Sequence, residues 1–387
     1  MFYSIKGPTW RSHRKIVTPC YGKKAIRHYA DVFNAEGRRL AEALARKGDG
    51  VKFDVYFDVV RTTTHCVCLT LMGLSKEDTQ NIPRMEEVML TTQEMYNHIF
   101  TKMIKWWLQI SILYWLLGEK KKEDYYIKTL TEMCSHIVEK RRIALNNEGV
   151  RNLKENDEKI MNVVDRYILC GELSPQEIVL ETFGLFTTSQ EASAKIASGV
   201  LLFLAHLPVW QDKVYNEIVA VLGPGDSYVH EEDLKKLLYL DMVYKEVLRY
   251  LPIAALIQRT VEDEIAIKNG EYVLSAGTTV TIPLHGLHRD PRLWEDPDEA
   301  DPGRFSPENV RQRDPNTFIP YSLGPMDCLG RVYAVSLIKT LVVWVLRRLV
   351  LEAEGNIRDL ELHVAISVKF AKGYNLRVRP RLQNVSK

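Results

Sequence analysis

The stretch Phe318-Ile319-Pro320-Tyr321-Ser322-Leu323-Gly324-Pro325-Met326-Asp327-Cys328-Leu329-Gly330 decides how this chain is read. It closes a proline-rich, irregular segment and leads into an apolar run, from about Val332 to Val350, whose pattern predicts a core helix. A single cysteine, Cys328, stands between Gly324-Pro325 and Gly330, just before that helix. Unpaired backbone N–H groups at a helix N-terminus stabilise a thiolate, so Cys328 is expected to ionise readily. Glycines on either side let the backbone lie flat against a large planar ligand. Read more blandly, Cys328 is a small buried hydrophobe ahead of a core helix.

A lone thiolate with room for a planar ligand is how haem iron is held through sulfur, and its electron donation favours O–O cleavage. The segment resembles the haem-binding loop of the cytochrome P450 family: an aromatic, then Gly, a basic residue, Cys and Gly at fixed spacing. Tyr321, Gly324, Cys328 and Gly330 stand at matching places. Met326 stands where the family usually has Arg or His.

The composition is that of an ordinary globular protein, with 387 residues, 46% hydrophobic and 26% charged. A formal net charge of +2 gives no indication of a nucleic-acid partner. Six scattered cysteines do not make a disulfide framework, and His65-Cys66-x-Cys68 has no second cluster at zinc-finger spacing, so it reads as buried helix. A reducing compartment fits. The most apolar stretches, Trp106–Leu117 and Leu337–Val350, are too short or too interrupted by charge to cross a bilayer.

Working outward from the cysteine loop, Glu246 and Arg249 are three apart on a helix ended by Leu251-Pro252, and Arg304-Phe305 follows in Asp301-Pro302-Gly303-Arg304-Phe305. The resemblance implies that Glu246, Arg249 and Arg304 form a buried network fixing the loop before the cysteine. Between them, Gln258-Arg259, Glu262–Ile267, Glu271–Leu274 and Thr278–Pro283 read as short strands, with a turn at Asn269-Gly270. Arg259 falls where the family places a propionate-binding arginine. Glu361–Lys369 and Tyr374–Pro380 read as a last pair of strands.

Upstream, Ser174-Pro175-Gln176-Glu177 is a helix opening with a capping box, and an apolar helix follows to about His206. Within it, Phe186 to Ser193 is a patch of mostly small or polar residues, costly if buried against protein and natural against a ligand or water. It resembles the family's distal helix, with Glu191 at the acid position. Ala192 stands at the threonine position and Ser189 at the glycine position. Oxygen activation needs protons, so Glu191 with Ser189 or Ser193 is expected to carry them. Thr188 replaces a glutamate that can esterify haem in the similar family-4 clan.

Earlier still, amphipathic helices are expected over Ala25–Lys47, Val59–Met72, Thr79–Lys105 and Glu123–Asn147, with Asn146–Asp157 a polar surface loop. Trp10 and Arg14 share a helical face. In the family a Trp and Arg at this spacing bond the haem propionates. The basic residues Arg11, Arg14, Lys15, Lys23, Lys24 and Arg27 either dock an acidic reductase surface or are simply solvated charge.

The resemblance therefore implies a mainly α fold with small β-sheets, a single haem-thiolate domain over residues 1–387 lacking its N-terminal portion. It implies haem b ligated by Cys328, anchored by Trp10, Arg14 and Arg259, with Gly324 and Gly330 shaping the loop. The implied reaction is insertion of one oxygen atom from O2 into an apolar small molecule, with NADPH-derived electrons arriving through a reductase. A longer form would sit on the cytoplasmic face of the endoplasmic reticulum membrane. Two other readings stay open at this point: a haem-binding relative without monooxygenase activity, which Met326 and Ala192 favour, and a cofactor-free helical interaction protein.

Overall fold

The computed structural model describes residues 7–150 and 162–381. Among them, nine helices exceed ten residues: α1 (Gly7–Val17), α2 (Lys23–Ala45), α3 (Tyr56–Leu69), α4 (Met85–Ile104), α5 (Glu119–Asn147), α6 (Pro175–His206), α7 (Pro208–Leu222), α8 (Leu238–Tyr250) and α9 (Arg331–Arg348). The strands are β1 (Phe53–Asp54), β2 (Ile257–Thr260), β3 (Ile265–Ile267), β4 (Tyr272–Leu274), β5 (Thr279–Ile282), β6 (Leu349–Glu352), β7 (Leu362–Val364), β8 (Val368–Phe370) and β9 (Asn375–Pro380). The result is a mainly α fold with small antiparallel sheets.

Helix α6 is the axis of the core. The Ser174 hydroxyl accepts the Glu177 N–H at 3.3 Å, and Glu177 Oε2 accepts the Ser174 N–H at 2.8 Å, so the capping box starts it as its residues require. Nearly every side chain from Glu181 to Ala205 is buried, because α3, α5, α8 and α9 surround it. Close approach is set by small residues. A Cβ on Gly199 would lie 2.9 Å from Val247 Cγ1 of α8. On α2, a Cβ on Gly37 would lie 2.6 Å from Trp344 Cδ1 of α9, which fixes the α2–α9 contact. Cys66 and Cys68 are fully buried on α3, and the described residues hold no group of side chains suited to a metal ion.

Several boundaries differ from the sequence expectation. Thr79–Lys105 is broken: a short helix Lys76–Gln80 ends before Pro83, Arg84 turns at φ 56°, and α4 begins at Met85. The helix after Cys328 stops at Arg348 rather than Val350, because Leu349–Glu352 pairs with Arg377–Pro380 as β6–β9. Glu361–Lys369 is not one strand. It folds on itself as β7 and β8, turning where the Ala365 N–H bonds the Ser367 carbonyl at 3.2 Å. Its expected partner, β9, instead sits between β1 and β6. Most of the expected loop Asn146–Asp157 lies outside the described residues. Near Asn269, the hairpin β3–β4 turns through positive φ at Lys268 and Asn269 as its sequence suggests.

Candidate active site

Cys328 sits on a loop that separate elements hold in place. Its own N–H donates to the Tyr321 carbonyl at 2.8 Å, and the Asp327 N–H donates to the Gly324 carbonyl at 3.0 Å, so residues 321–328 close on themselves. Gly324 has φ +82°, which a side chain would strain. Gly330, at the start of α9, has ordinary φ, and a Cβ there would point toward Cys328 Sγ, 3.9 Å away. Tyr321 is fixed by a hydroxyl contact with the buried Tyr244 of α8.

From α1, Arg14 donates to the Asp327 carbonyl at 2.8 Å and to Asp327 Oδ1 at 2.6 Å, while its guanidinium lies 5.4 Å from the buried Trp10 ring. From β2, Arg259 donates to Ser322 Oγ at 2.7 Å. Trp10, Arg14, Arg259, Gly324, Cys328 and Gly330 are thus brought into one neighbourhood.

Behind the loop lies a buried charge network. Glu246 and Arg249 are fully buried and paired bidentately, at 2.7 and 2.8 Å. Arg304 Nε lies 3.7 Å from Glu246 Oε1, and the same oxygen accepts the Asp301 N–H at 2.9 Å. Arg249 also donates to the carbonyls of His288, Pro297 and Glu299. His288 in turn accepts the Ile319 N–H at 3.3 Å through Nε2, so the network reaches the cysteine loop. Burial raises the Glu246 carboxyl above its ordinary range, against the lowering pull of Arg249, the Asp301 N–H and Arg304.

The cysteine itself departs from expectation. Cys328 keeps open surface rather than being buried, yet crowding by the chain on its other sides pushes its thiol up from its ordinary value. The Gly330 N–H, Arg14 and Arg331 pull it down, and Asp327 adds to the rise. The helix N-terminus alone does not make this a ready thiolate, because desolvation outweighs it.

On α6, between Glu181 and Ala205, only Thr188, Ser189 and Ala192 retain surface, and their spacing puts them on one face. Thr188 Oγ1 donates to the Gly184 carbonyl at 2.7 Å and keeps its lone pairs free of that bond. Glu191 and Ser193 are buried off this face. The Glu191 carboxylate is ion-paired with Lys195 one turn on, and Lys195 also contacts Ser367 in the β7–β8 turn. Helix α6 packs against α9, the helix that begins three residues after Cys328.

Residues 2–374 match the family model described as Cytochrome P450. The chain belongs to the cytochrome P450 family. Membership makes it a haem monooxygenase, whose iron takes a cysteine thiolate. Relatives include cytochrome P450 4V2 of Pongo abelii, 28% identical over 97% of this chain and 73% of that protein. Cytochrome P450 4c3 of Drosophila melanogaster is 27% identical over 96% of this chain and 72% of that protein, and human cytochrome P450 4B1 is 26% identical over 97% and 74%. The fold matches the crystal structure of a cytochrome P450DA mutant haem domain with TM-score 0.78 at 20% identity, covering 97% of this chain and 78% of that one.

The chemistry of this P450's residues suits haem iron: Cys328 is a thiol with open surface, and Gly330, two residues on, puts no side chain against its sulfur. At the propionates the fit is thinner, because Met326 supplies no cation and Arg14 is engaged by Asp327.

Sequence reasoning missed Asp327, Lys195, His288 and Tyr244. The acid and base four apart at Glu191 and Lys195 were a readable signal; the other three had none.

A second missed feature is apolar. Trp106, Ile112, Trp115 and Leu116 are more than half exposed between α4 and α5, in a stretch that sequence alone marks only as hydrophobic. No single described helix is long and apolar enough to cross a membrane; α6 and α7 pass together only as a pair bent by 111°.

Proposed function

We propose that this P450 inserts one atom of O2 into an apolar organic substrate, with electrons that start on NADPH and arrive through a reductase. The observation that carries the reading is Cys328: a thiol with open surface, on a loop tied to α1, β2 and α8. Bound haem would supply the iron at which O2 is reduced. Cys328 Sγ would ligate it, and coordination would deprotonate the thiol outright, against the crowding that raises it. Trp10, Arg14 and Arg259 would hold the propionates. Glu246, Arg249 and Arg304 keep the loop in register without touching the reacting atoms.

The open face of α6 offers two hydroxyls and a methyl with no charge, which suits an uncharged, apolar substrate. Ser189 and Thr188 would hold the water that brings protons. Glu191 would join them only by leaving Lys195. Arg11, Lys15 and Lys23 are exposed on α1 and α2 beside the loop and form the proposed contact with the reductase. The exposed Trp106, Ile112, Trp115 and Leu116 would rest on a lipid surface, in this reading the endoplasmic reticulum membrane. The whole chain acts as one P450 domain in this reading.

A second reading, haem binding with poor oxygen transfer, is favoured by two observations: Ala192 carries no hydroxyl, and Glu191 is committed to Lys195. The carbon monoxide difference spectrum of the reduced protein, beside Cys328→Ser, tests the site. A strongly red-shifted Soret band lost in the variant is expected. A band at the ordinary haem position in both proteins would refute thiolate ligation, and product formed per NADPH consumed separates the two readings.

A further inference from the structure

We propose that Asp327 competes with haem for Arg14 and so sets how tightly this chain retains its cofactor. The inference rests on the haem-thiolate reading above. Two donor directions of the Arg14 guanidinium are spent on one residue, at 2.8 Å to the Asp327 carbonyl and 2.6 Å to its carboxylate. Arg259 is also bonded, to the Gln258 carbonyl and to Ser322 Oγ, but both partners are neutral and yield to a carboxylate without separating charge. Arg14 is the one of the two whose partner carries an opposite charge.

The loop itself makes this matter. From Tyr321 to Gly330 its only formally charged side chain is Asp327. Met326 beside it is 47% exposed and brings no cation. A ligand presenting two carboxylates near Arg14 and Arg259 therefore meets an acid already in possession of one arginine. The Arg14 and Asp327 side chains are 20% and 43% exposed, so the pair is partly screened and its grip modest. An ion pair of this exposure corresponds to a change of about two- to fivefold in an equilibrium or off-rate.

The test is the rate of haem loss from the loaded protein to excess apomyoglobin, followed spectroscopically. Asp327→Asn should slow the loss by about two- to fivefold, because Arg14 is released. The gain from Asp327→Asn should shrink when Arg14 is already Gln. An equal gain in both backgrounds would mean that Asp327 merely repels the cofactor and would overturn the competition. Unchanged loss from Asp327→Asn would mean that the pair has no hold on the cofactor, and faster loss would make it a structural clamp; either overturns the proposal. A red-shifted carbon monoxide band in the wild type keeps these failures separate from failure of the haem-thiolate reading. Absence of that band sinks both.

Discussion

Glu246→Ala probes the loop from behind. In the wild type, the Glu246 carboxylate accepts two bonds from Arg249 and one from the Asp301 N–H, with Arg304 at 3.7 Å, and neither Glu246 nor Arg249 has solvent access. Removing the carboxylate leaves a buried guanidinium facing carbonyl oxygens and the Trp294 ring, with no anion bonded to it. Loss of one member of a buried ion pair costs about 3–5 kcal/mol. Unfolding entropy near 2.1 cal/mol/K per residue gives about 0.8 kcal/mol/K for a chain of this length, so the thermal midpoint should fall by about 4–6 °C.

The damage should concentrate at the loop, because Arg249 holds the His288 carbonyl and His288 accepts the Ile319 N–H. Circular dichroism melts at a fixed scan rate, paired with haem content per chain, measure both effects. Glu246→Ala/Arg249→Leu should recover part of the loss, since no unpaired charge then remains buried. A midpoint within about 1 °C of wild type, well inside that calculated shift, with full haem content would refute the network's role.

His288 carries a pH dependence. Burial and the nearby Arg249 push its imidazole down from 6.5 to about 4, and Nε2 must be unprotonated to accept the Ile319 N–H. Stability from this group is full above pH 6.5 and is lost as pH falls from there toward 4, by at most about 3 kcal/mol. Urea titrations at several pH values should show a shallower acid loss in His288→Gln, and an identical profile would exclude the group. Ala192 is half-buried on the open face of α6, so Ala192→Thr fits without overpacking the core and should raise product per NADPH severalfold, an effect on the order of a positioned proton donor at the low end. Unchanged coupling in haem-loaded protein would remove position 192 from proton delivery.

The legible parts of the fold were those whose chemistry is local. Ser174 and Glu177 announce α6 because a cap needs only three residues of spacing, and the Glu246–Arg249 pair follows from one helical turn. Elements decided by distant partners were not legible. Nothing within Leu349–Glu352 says that the helix must stop, because its reason is β9, and β7–β8 turns without Gly or Pro. The same division runs through the site. The loop residues stood out by type and order, whereas Arg14 and Asp327 meet across 313 positions. Exposure of Trp106 and Trp115 depends on what fails to cover them, which periodicity does not report.

That division bears on how the site departs from its family. Met326 and Ala192 are visible substitutions, and each alone reads as loss: one cation fewer, one hydroxyl fewer. The contacts add a second layer with the same sign. Asp327 occupies Arg14, and Lys195 occupies Glu191, so in the proposed site the residue left to compensate is in each case already paired within the chain. The two pairs differ in what breaking them costs. Arg14–Asp327 is partly solvated, so a carboxylate ligand can displace it cheaply. Glu191–Lys195 is buried, at 5% and 3% side-chain exposure, so freeing Glu191 would leave an unpaired charge out of water. Under the proposed function, cofactor retention should therefore respond readily to substitution, while proton delivery through Glu191 should not, and oxygen chemistry would depend on the hydroxyls of Ser189 and Thr188.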